Sequence, residues 1–259
     1  MKRILLAALA LLPITACITL PETGKSALLL TSSAQESQMG DEGYKEVLKK
    51  EKINKNPKWN AMIQRVGQKI AQQANQPQYK WEFTIIESKE QNAWCMPGGK
   101  VAFYTGIFPK LQNEAAMAAV MGHEVAHAVL RHSGQRITQS MIVGMGLSVA
   151  QLSMSNSQYK DQLLGMLGAG ATVGVVLPFS RGHESEADLV GLKYMAKAGY
   201  DPQEAVRFWQ RFKSEGAPPE FMSTHPAGET RIRDLNANMP TALAIYQASP
   251  KQIGLGETF

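Results

Sequence analysis

The stretch that most constrains this chain is AVMGHEVAHAVL, residues 119 to 130, in which two histidines and a glutamate interrupt an otherwise apolar run. Successive residues of an α-helix turn by about 100°, so residues four apart lie on one face. His123 and His127 can therefore point at one object, and Glu124 lies beside the first of them. Any fold of this chain has to bury the helix and still provide a partner for these three polar side chains.

The spacing of these residues is the HExxH pattern, which is typical of a zinc-binding helix. Two imidazoles four residues apart can bind one Zn²⁺, and Glu124 can then reach a water on the metal and act as a general base. The alternative is a core helix whose histidines are satisfied by hydrogen bonds. Asn113 can cap this helix, which we expect to continue to Ser133 and Gly134. On such a helix His132 lies about 180° from the first histidine, so we expect it to lie either at the surface or behind a ligand, and not to be a ligand itself.

A second polar helix can supply the ligand that is still missing, since a catalytic zinc usually has three protein ligands and one open position. The stretch SRGHESEADLVG, residues 180 to 191, has Glu184 and Asp188 on one face and Glu186 nearly opposite. One of the first two carboxylates can bind the metal while the other accepts the free N–H of a ligand histidine. An acidic face in contact with solvent is the alternative.

The N-terminus has the pattern of an export signal, with two basic residues, nine apolar ones and then the small-residue sequence ITAC. ITAC is similar to the lipobox of bacterial lipoproteins, which implies cleavage before Cys17 and acylation of its thiol. An ordinary secretory signal cleaved nearby is the alternative. We therefore expect residues 1–16 to be a signal peptide, residues 17–40 a membrane tether and residues 41–259 one folded domain that carries the zinc site.

The apolar periodicity predicts an α+β fold that is mainly helical. WEFTIIES (81–88) and KVAFYTGIF (100–108) are rich in β-forming residues and flank a Pro-Gly-Gly turn, so a small antiparallel sheet should lie beside the HExxH helix. Further helices are expected from Asn56 onward, over about 182–198, from Asp201 onward and over 229–238.

Cysteine count, charge and hydropathy exclude several classes of protein. Cys17 and Cys95 are the only cysteines, so lipidation of the first leaves no intramolecular disulfide. The net charge of +5 is modest, and no basic stripe with interleaved aromatic residues occurs, so we expect no nucleic-acid partner. Two apolar stretches within residues 141–178 are each shorter than the ~18 residues of a membrane span, which favours buried or membrane-surface helices over a transmembrane hairpin.

Four motifs together resemble the zinc metallopeptidase family that includes HtpX and the CAAX prenyl proteases, and within it the soluble bacterial lipoprotein members that are tethered to a membrane. The motifs are NAWCMPGGKVAFYTGIF, HEVAH, SRGHESEAD and STHPAGETRI, and they occur in the order that the family has. The resemblance covers roughly residues 40 to 240. It implies a zincin-like fold and one Zn²⁺ per chain, bound by His123, His127 and Glu184.

The resemblance also implies roles for the residues around the metal. Glu124 would be the catalytic base, Asp188 would hydrogen-bond a ligand, and Arg181 and Arg231 would lie near the site. His225, in the loop STHP, would lie beside the metal, where it either displaces the bound water as a plug or hydrogen-bonds the oxyanion of the transition state. From the residues alone, a loop histidine satisfied by ordinary hydrogen bonds is equally open.

These features predict a zinc metalloendopeptidase that acts on polypeptides. The strand that contains Asn92, Ala93 and Trp94 is a candidate edge to which an extended substrate adds by main-chain pairing, whatever its sequence. Such a site would suit unfolded or misassembled proteins of the bacterial cell envelope, with the enzyme lipid-anchored to the outer membrane and facing the periplasm. The outer-membrane assembly machinery is a candidate partner. The alternative is a zinc-stabilised chaperone or assembly factor for outer-membrane proteins, against which the intact Glu124 argues.

Overall fold

Helices carry most of the chain, as the apolar periodicity predicts. The computed structural model describes residues 17–147, 179–213, 225 and 229–259, so the expected signal peptide lies outside the described residues. The elements in chain order are β1 (Cys17–Thr19), β2 (Ser26–Leu28), α1 (Ser33–Lys50), α2 (Pro57–Ala74), β3 (Glu82–Ile86), β4 (Ala93–Met96), β5 (Lys100–Tyr104), α3 (Phe108–Leu111), α4 (Glu114–Val129), α5 (His132–Leu147), α6 (Arg181–Lys197), α7 (Gln203–Lys213) and α8 (Glu229–Gln247). The predicted α+β class is confirmed.

The three-stranded sheet is mixed, and this detail differs from the expected antiparallel pairing of its two long strands. Its order is β3-β5-β4; β4 pairs antiparallel with β5, and β3 pairs parallel with β5. Gly98 and Gly99 have φ values of +84° and +87°, so they form a tight turn that joins β4 directly to β5. The hairpin partner of β5 is therefore the short strand just before the turn, and β3 pairs along the other edge.

Helix α4 lies at the centre of the core. All of its residues except Ala119 are buried, and it packs against α2, α6, α7 and β4. Its many alanines keep the helix thin, which lets neighbouring elements approach closely on several sides. Polar side chains on this helix are consequently removed from water.

Helix α4 ends at Val129, before the predicted end at Ser133 and Gly134. Arg131 has a φ of +54°, so the chain turns there and α5 starts at the next residue. The Arg131 guanidinium donates to Glu36 at 3.0 and 2.7 Å and to the carbonyl of Thr31 at 2.7 Å. These bonds hold a backbone conformation that residues other than glycine seldom adopt.

The N-terminal segment is folded where the sequence led us to expect a tether over residues 17–40. Strands β1 and β2 pair antiparallel, and Leu20, Ala27 and Leu29 are buried in the main core. The apolar sequence SALLL gives the physical reason, since these side chains gain more from burial than an exposed tether would allow. Helix α1 then begins after Ser32, which forms a capping box.

The remaining described helices follow the sequence with one difference. Helix α6 ends at Lys197 and Gly199 has a φ of +87°, close to the predicted end, whereas α8 continues past the predicted Asn238 and through Pro240. Within the predicted pair of apolar helices, only the part up to Leu147 is described, and residues 148–178 lie outside the described residues. Among the helices of the described ranges, none is both long and apolar enough to cross a bilayer.

Candidate metal centre

Helix α4 carries three predicted site residues on its buried surface. Its first turn is capped by Asn113, whose side-chain oxygen accepts from the Ala116 amide at 2.9 Å. His123, Glu124 and His127 are only 4, 2 and 2% exposed. Burying polar groups costs free energy unless they are paired, so the partners of these side chains determine what the site can do.

Helix α6 brings two carboxylates to the same place because it crosses α4 almost in backbone contact. Gly122 of α4 faces Gly191 of α6, and a Cβ added at Gly191 would lie 2.6 Å from the backbone nitrogen of His123. This close crossing holds Glu184 and Asp188 against the histidines, and both carboxylates are buried. The two acids share a face, as their spacing of four predicts.

Donor atoms from four side chains converge on one point, within 4.8 Å of one another, and they belong to His123, His127, Glu184 and His225. The separations are 3.0 Å between His123 Nε2 and His127 Nε2, 3.2 Å between His123 Nε2 and His225 Nδ1, 3.4 Å between His127 Nε2 and Glu184 Oε1, and 3.1 Å between His225 Nδ1 and Glu184 Oε1. Ligands of a tetrahedral zinc with bonds of ~2.1 Å lie ~3.4 Å apart. The donor set and its spacing therefore fit a zinc ion.

An ion pair behind the cluster orients the first histidine. His123 Nδ1 lies 3.0 Å from Asp188 Oδ1, so its N–H points at the carboxylate and Nε2 faces the cluster. Arg231 donates to the two oxygens of Asp188 at 2.6 and 2.5 Å, and to Glu184 Oε2 at 2.7 Å. The same guanidinium stacks 3.8 Å over the ring of Trp209. One arginine thus fixes both Glu184 and Asp188.

The surroundings of Glu184, Asp188 and His127 favour the protonation states in which these side chains bind a metal or support a ligand. Burial acts to raise the pKa of Glu184, but the nearby His225 and Arg231 hold that pKa well below its ordinary value. The pKa of Asp188 is likewise lowered, because the Arg231 charge and the hydrogen bond from His123 outweigh burial. Burial lowers the pKa of His127 well below its usual range. An ionised carboxylate and a neutral imidazole are the forms that bind metal.

Glu124 has a different environment from the other acids. Burial raises the pKa of Glu124 to about 7. Its Oε1 has no hydrogen-bond partner among the described residues, and His225 Nε2 lies 3.6 Å away. A carboxyl group that takes up and releases a proton near neutral pH, beside a cluster of metal donors, has the properties of a general base.

His225 lies inside the cluster and is 3% exposed. Its Nδ1 faces Glu184 and His123, while its Nε2 faces Glu124. The adjoining parts of its loop, residues 214–224 and 226–228, lie outside the described residues. In this position the imidazole can act as a fourth metal donor or as a hydrogen-bond donor to a substrate.

His132 and Phe179 also lie next to the cluster. The sequence leaves His132 either at the surface or behind a ligand, and the structure has it behind His127. Because α5 starts anew at His132, this side chain folds back so that its Nδ1 lies 2.9 Å from Nδ1 of His127, instead of lying on the far side of one long helix. The ring of Phe179 has its centroid 3.9 Å from that of His127. The sequence contains no clear signal for the turn at Arg131, and none for the phenylalanine.

Other predicted residues lie farther from the donors. Arg181 is exposed at the first position of α6 and takes no part in the buried network as far as the described residues show, unlike the second expected arginine, Arg231. Strand β4 lies at one edge of the sheet, but Asn92, Ala93 and Trp94 are only 2, 1 and 2% exposed. Cys17 is exposed at the start of β1.

Comparison with known proteins gives consistent matches. The model of peptidase family M48 matches residues 57–239. The chain is 34% identical over 214 residues to the mitochondrial metalloendopeptidase OMA1 of Schizosaccharomyces pombe, covering 80% of this chain and 62% of that protein. It is 36% identical over 171 residues to OMA1 of Arabidopsis thaliana, covering 64% and 34%. It is 30% identical over 226 residues to the beta-barrel assembly-enhancing protease of Escherichia coli K12, covering 83% and 46%.

The chain thus spans roughly a third to three-fifths of the length of these curated relatives. All three are named as proteases or metalloendopeptidases, and the buried cluster has the donors for one metal ion. The resemblance drawn from the four motifs is confirmed, and so are the expectations of a metalloprotease and of zinc as its cofactor.

Proposed function

The chain belongs to peptidase family M48, and from this premise we propose that it is a zinc endopeptidase of the bacterial cell envelope that cleaves unfolded or misassembled proteins. In this proposal His123, His127 and Glu184 hold the zinc and Glu124 is the catalytic base. The observation that carries it is the convergence of three metal donors beside a carboxyl group whose pKa is raised to about 7. A purely structural zinc has no use for such a base.

The residues divide the chemistry between them. Bound zinc would supply the Lewis acid that polarises the scissile carbonyl and acidifies the attacking water. Glu124 accepts the proton of that water and passes it to the leaving amine, and its Oε1, which has no hydrogen-bond partner among the described residues, is available for both transfers. Asp188 keeps the His123 ring aligned. The charge of Arg231 helps to keep Asp188 and Glu184 ionised.

Substrate recognition by main-chain pairing is the part of the proposal that concerns Asn92, Ala93 and Trp94. Strand β4 supports it because it is an edge strand next to α4. These residues are buried, so an incoming chain would first have to displace the groups that cover the edge. Recognition of this kind is independent of side-chain sequence, and an unfolded or misassembled protein offers the extended segments that it needs.

The location in the cell envelope rests on the N-terminal pattern and on the bacterial relatives. The ITAC sequence and the exposed thiol of Cys17 support a lipid anchor, and Ile18 is not the aspartate that retains many lipoproteins on the inner membrane. A relative named for enhancing β-barrel assembly supports an outer-membrane site facing the periplasm, with the assembly machinery as a partner. The mitochondrial relatives show that members of the family also work in another compartment.

The experiment that tests this proposal separates metal binding from catalysis. We expect Glu124→Gln to retain about one zinc per chain and to lose hydrolysis of casein, because the ligands stay and the base is removed. Glu184→Ala should lose both zinc and activity. Glu87→Gln, which changes a carboxylate that pairs with Lys52 and is not a member of the metal cluster, is the control and should change neither.

Unchanged hydrolysis by Glu124→Gln would overturn the mechanism. Full zinc content in Glu184→Ala would overturn the ligand set. A wild-type protein that binds zinc and assists the assembly of outer-membrane proteins without cleaving any polypeptide would favour the non-proteolytic assembly factor.

A further inference from the structure

We infer that His132 and Glu186 form a hydrogen-bonded chain that positions the zinc ligand His127, and that Lys25 of the N-terminal hairpin holds the outer end of this chain. The inference deepens the proposed function and rests on it, because it adds positioning residues to the same metal site. None of the three residues offers a donor atom to the metal cluster itself.

The chain of contacts is continuous from the cluster to the surface. Nε2 of His127 faces the other donors, and its Nδ1 lies 2.9 Å from Nδ1 of His132. Nε2 of His132 lies 3.1 Å from Glu186 Oε2. The other oxygen of Glu186 lies 2.5 Å from Nζ of Lys25, in the turn between β1 and β2. Each ring nitrogen and each carboxylate oxygen along this path therefore has a partner.

Zinc binding by His127 determines which atom donates in each hydrogen bond of this series. A histidine that binds zinc through Nε2 carries its proton on Nδ1, so His127 has to donate to the facing Nδ1 of His132. The proton of His132 is then on Nε2, from which it donates to Glu186. This arrangement assigns one tautomer to each ring, and it directs the lone pair of His127 Nε2 at the metal. Without His132, the buried N–H of His127 would lose its partner.

The rings in the chain are held in place by packing as well as by hydrogen bonds. The His132 ring is fully buried and stacks on His183, with centroids 4.2 Å apart and planes 16° apart. His183 in turn has Nε2 3.3 Å from Gln135 Oε1. Because His132 has little room to rotate, it can fix the orientation of the ligand that it contacts. This is the packing that a positioning residue needs.

The series of contacts from His127 to Lys25 also connects structural elements that are distant in sequence. His132 starts α5, Glu186 lies on α6 two residues after the ligand Glu184, and Lys25 belongs to the hairpin that follows Cys17. The Lys25 side chain is 64% exposed, so solvent screens its ion pair and its effect on the metal should be the smallest. We therefore expect the effects to decrease in the order His132, Glu186, Lys25.

The test is the zinc dissociation constant of the full chain, measured by competition with a chromophoric chelator, together with kcat and KM for a peptide. His132→Phe keeps an aromatic ring to stack on His183 but cannot hydrogen-bond, and we expect it to raise the dissociation constant about 10- to 100-fold. Glu186→Ala should raise it about 10-fold and Lys25→Ala by less than about fivefold. Glu186→Gln keeps an oxygen that accepts from His132 and should recover most of the affinity.

Glu87→Ala is the matched control, since it also removes a carboxylate paired with a lysine and should leave zinc affinity unchanged. The substitutions should lower kcat more than they change KM, because they alter the metal ligand and not the peptide-binding surface. Wild-type affinity in His132→Phe or in Glu186→Ala would overturn the inference, and so would equal losses in Glu186→Gln and Glu186→Ala. A wild-type chain that binds no zinc would instead overturn the proposed function.

Discussion

The raised pKa of Glu124 links the side chain that we propose as the base to the stability of the whole fold. When zinc is removed, burial makes the folded chain hold a proton on this group up to a pH of about 7, compared with an ordinary value of 4.5. The stabilising contribution of the proton is fully present below pH 4.5 and is lost as the pH rises through 7. Above that pH the fold has to bury a charged carboxylate.

We therefore predict that zinc-free Glu124→Gln is more stable than the zinc-free wild type at pH 8, by on the order of 3 kcal/mol, and by less than about 1 kcal/mol at pH 5. Glutamine has nearly the same shape as glutamate but cannot ionise. Urea unfolding in the presence of a chelator, followed by circular dichroism at several pH values, measures the difference. A difference that does not change with pH would contradict the burial of an ionisable Glu124.

The position of His225 predicts how its removal changes the rate of cleavage. Its Nδ1 lies among the donor atoms, 3.1 Å from Glu184 and 3.2 Å from His123, where an imidazole can take the coordination position that water needs. We expect it to restrain the resting enzyme, so His225→Ala should raise basal cleavage of a peptide several-fold. A lower rate in His225→Ala would instead assign the imidazole to stabilisation of the oxyanion.

The sequence predicts the positions of some site residues better than those of others, and the difference has a physical cause. The positions of His123, His127, Glu184 and Asp188 depend on helical spacing alone, which the pattern determines wherever a helix forms. The contact of His132 with the site depends on one residue with positive φ, Arg131, held by the distant Glu36. No local pattern encodes a long-range ion pair, so the sequence leaves His132 either at the surface or behind a ligand and cannot choose between the two.

Among the elements, the crossing of α4 and α6 decides whether the histidines of α4 meet the carboxylates of Glu184 and Asp188 on α6. Gly122 and Gly191 face each other, and a Cβ at the second position would lie 2.6 Å from the His123 nitrogen and 2.7 Å from the Gly122 carbonyl carbon. Both atoms belong to the backbone, so neither can move aside without moving a helix. Any side chain at position 191 has to separate the helix of the histidines from the helix of Glu184.

We predict that Gly191→Ala lowers the free energy of unfolding by about 1–3 kcal/mol and weakens zinc binding at least tenfold. Gly182→Ala is the matched control on the same helix, because its Cβ would meet nothing closer than 3.8 Å. Alanine there should leave zinc affinity unchanged and be neutral or slightly stabilising. Chemical unfolding and zinc titration of both variants provide the measurement, and equal effects of the two substitutions would argue against the tight crossing.

Among the elements too, features set by neighbouring residues are predictable from the sequence, and features set by distant residues are not. The caps of α2 and α4 at Asn56 and Asn113 and the end of α6 before Gly199 follow from local sequence, and the structure has them. The parallel pairing of β3 with β5 does not follow from local sequence. The tight turn at Gly98 and Gly99 makes β4 the hairpin partner of β5, which leaves only the other edge of β5 for β3. Strand partners are chosen by the whole sheet, so periodicity alone could not select them.

At the scale of the whole molecule, the N-terminal segment belongs to the folded domain. Leu20 and Leu29 are in the core, the amide of Leu30 donates to Thr138 of α5, and Lys25 pairs with Glu186 of α6. A lipid on Cys17 would thus be attached at the first residue of the folded hairpin. The membrane surface would lie close to the domain, with little free chain between them.

The last prediction follows from this placement of Cys17, whose thiol is exposed and lies outside the main core. Cys17→Ser should remove the lipid anchor and release the protein from the membrane fraction, while zinc content and the melting temperature stay at wild-type values, because the buried residues that seat the hairpin are unchanged. Cys95→Ala is the control: its thiol is buried in β4, so its loss should leave the protein in the membrane fraction. Fractionation of cells that express each variant, followed by immunoblotting, measures the distribution. Recovery of Cys17→Ser in the same membrane fraction as wild type would show that the chain is held there by something other than a lipid on this cysteine.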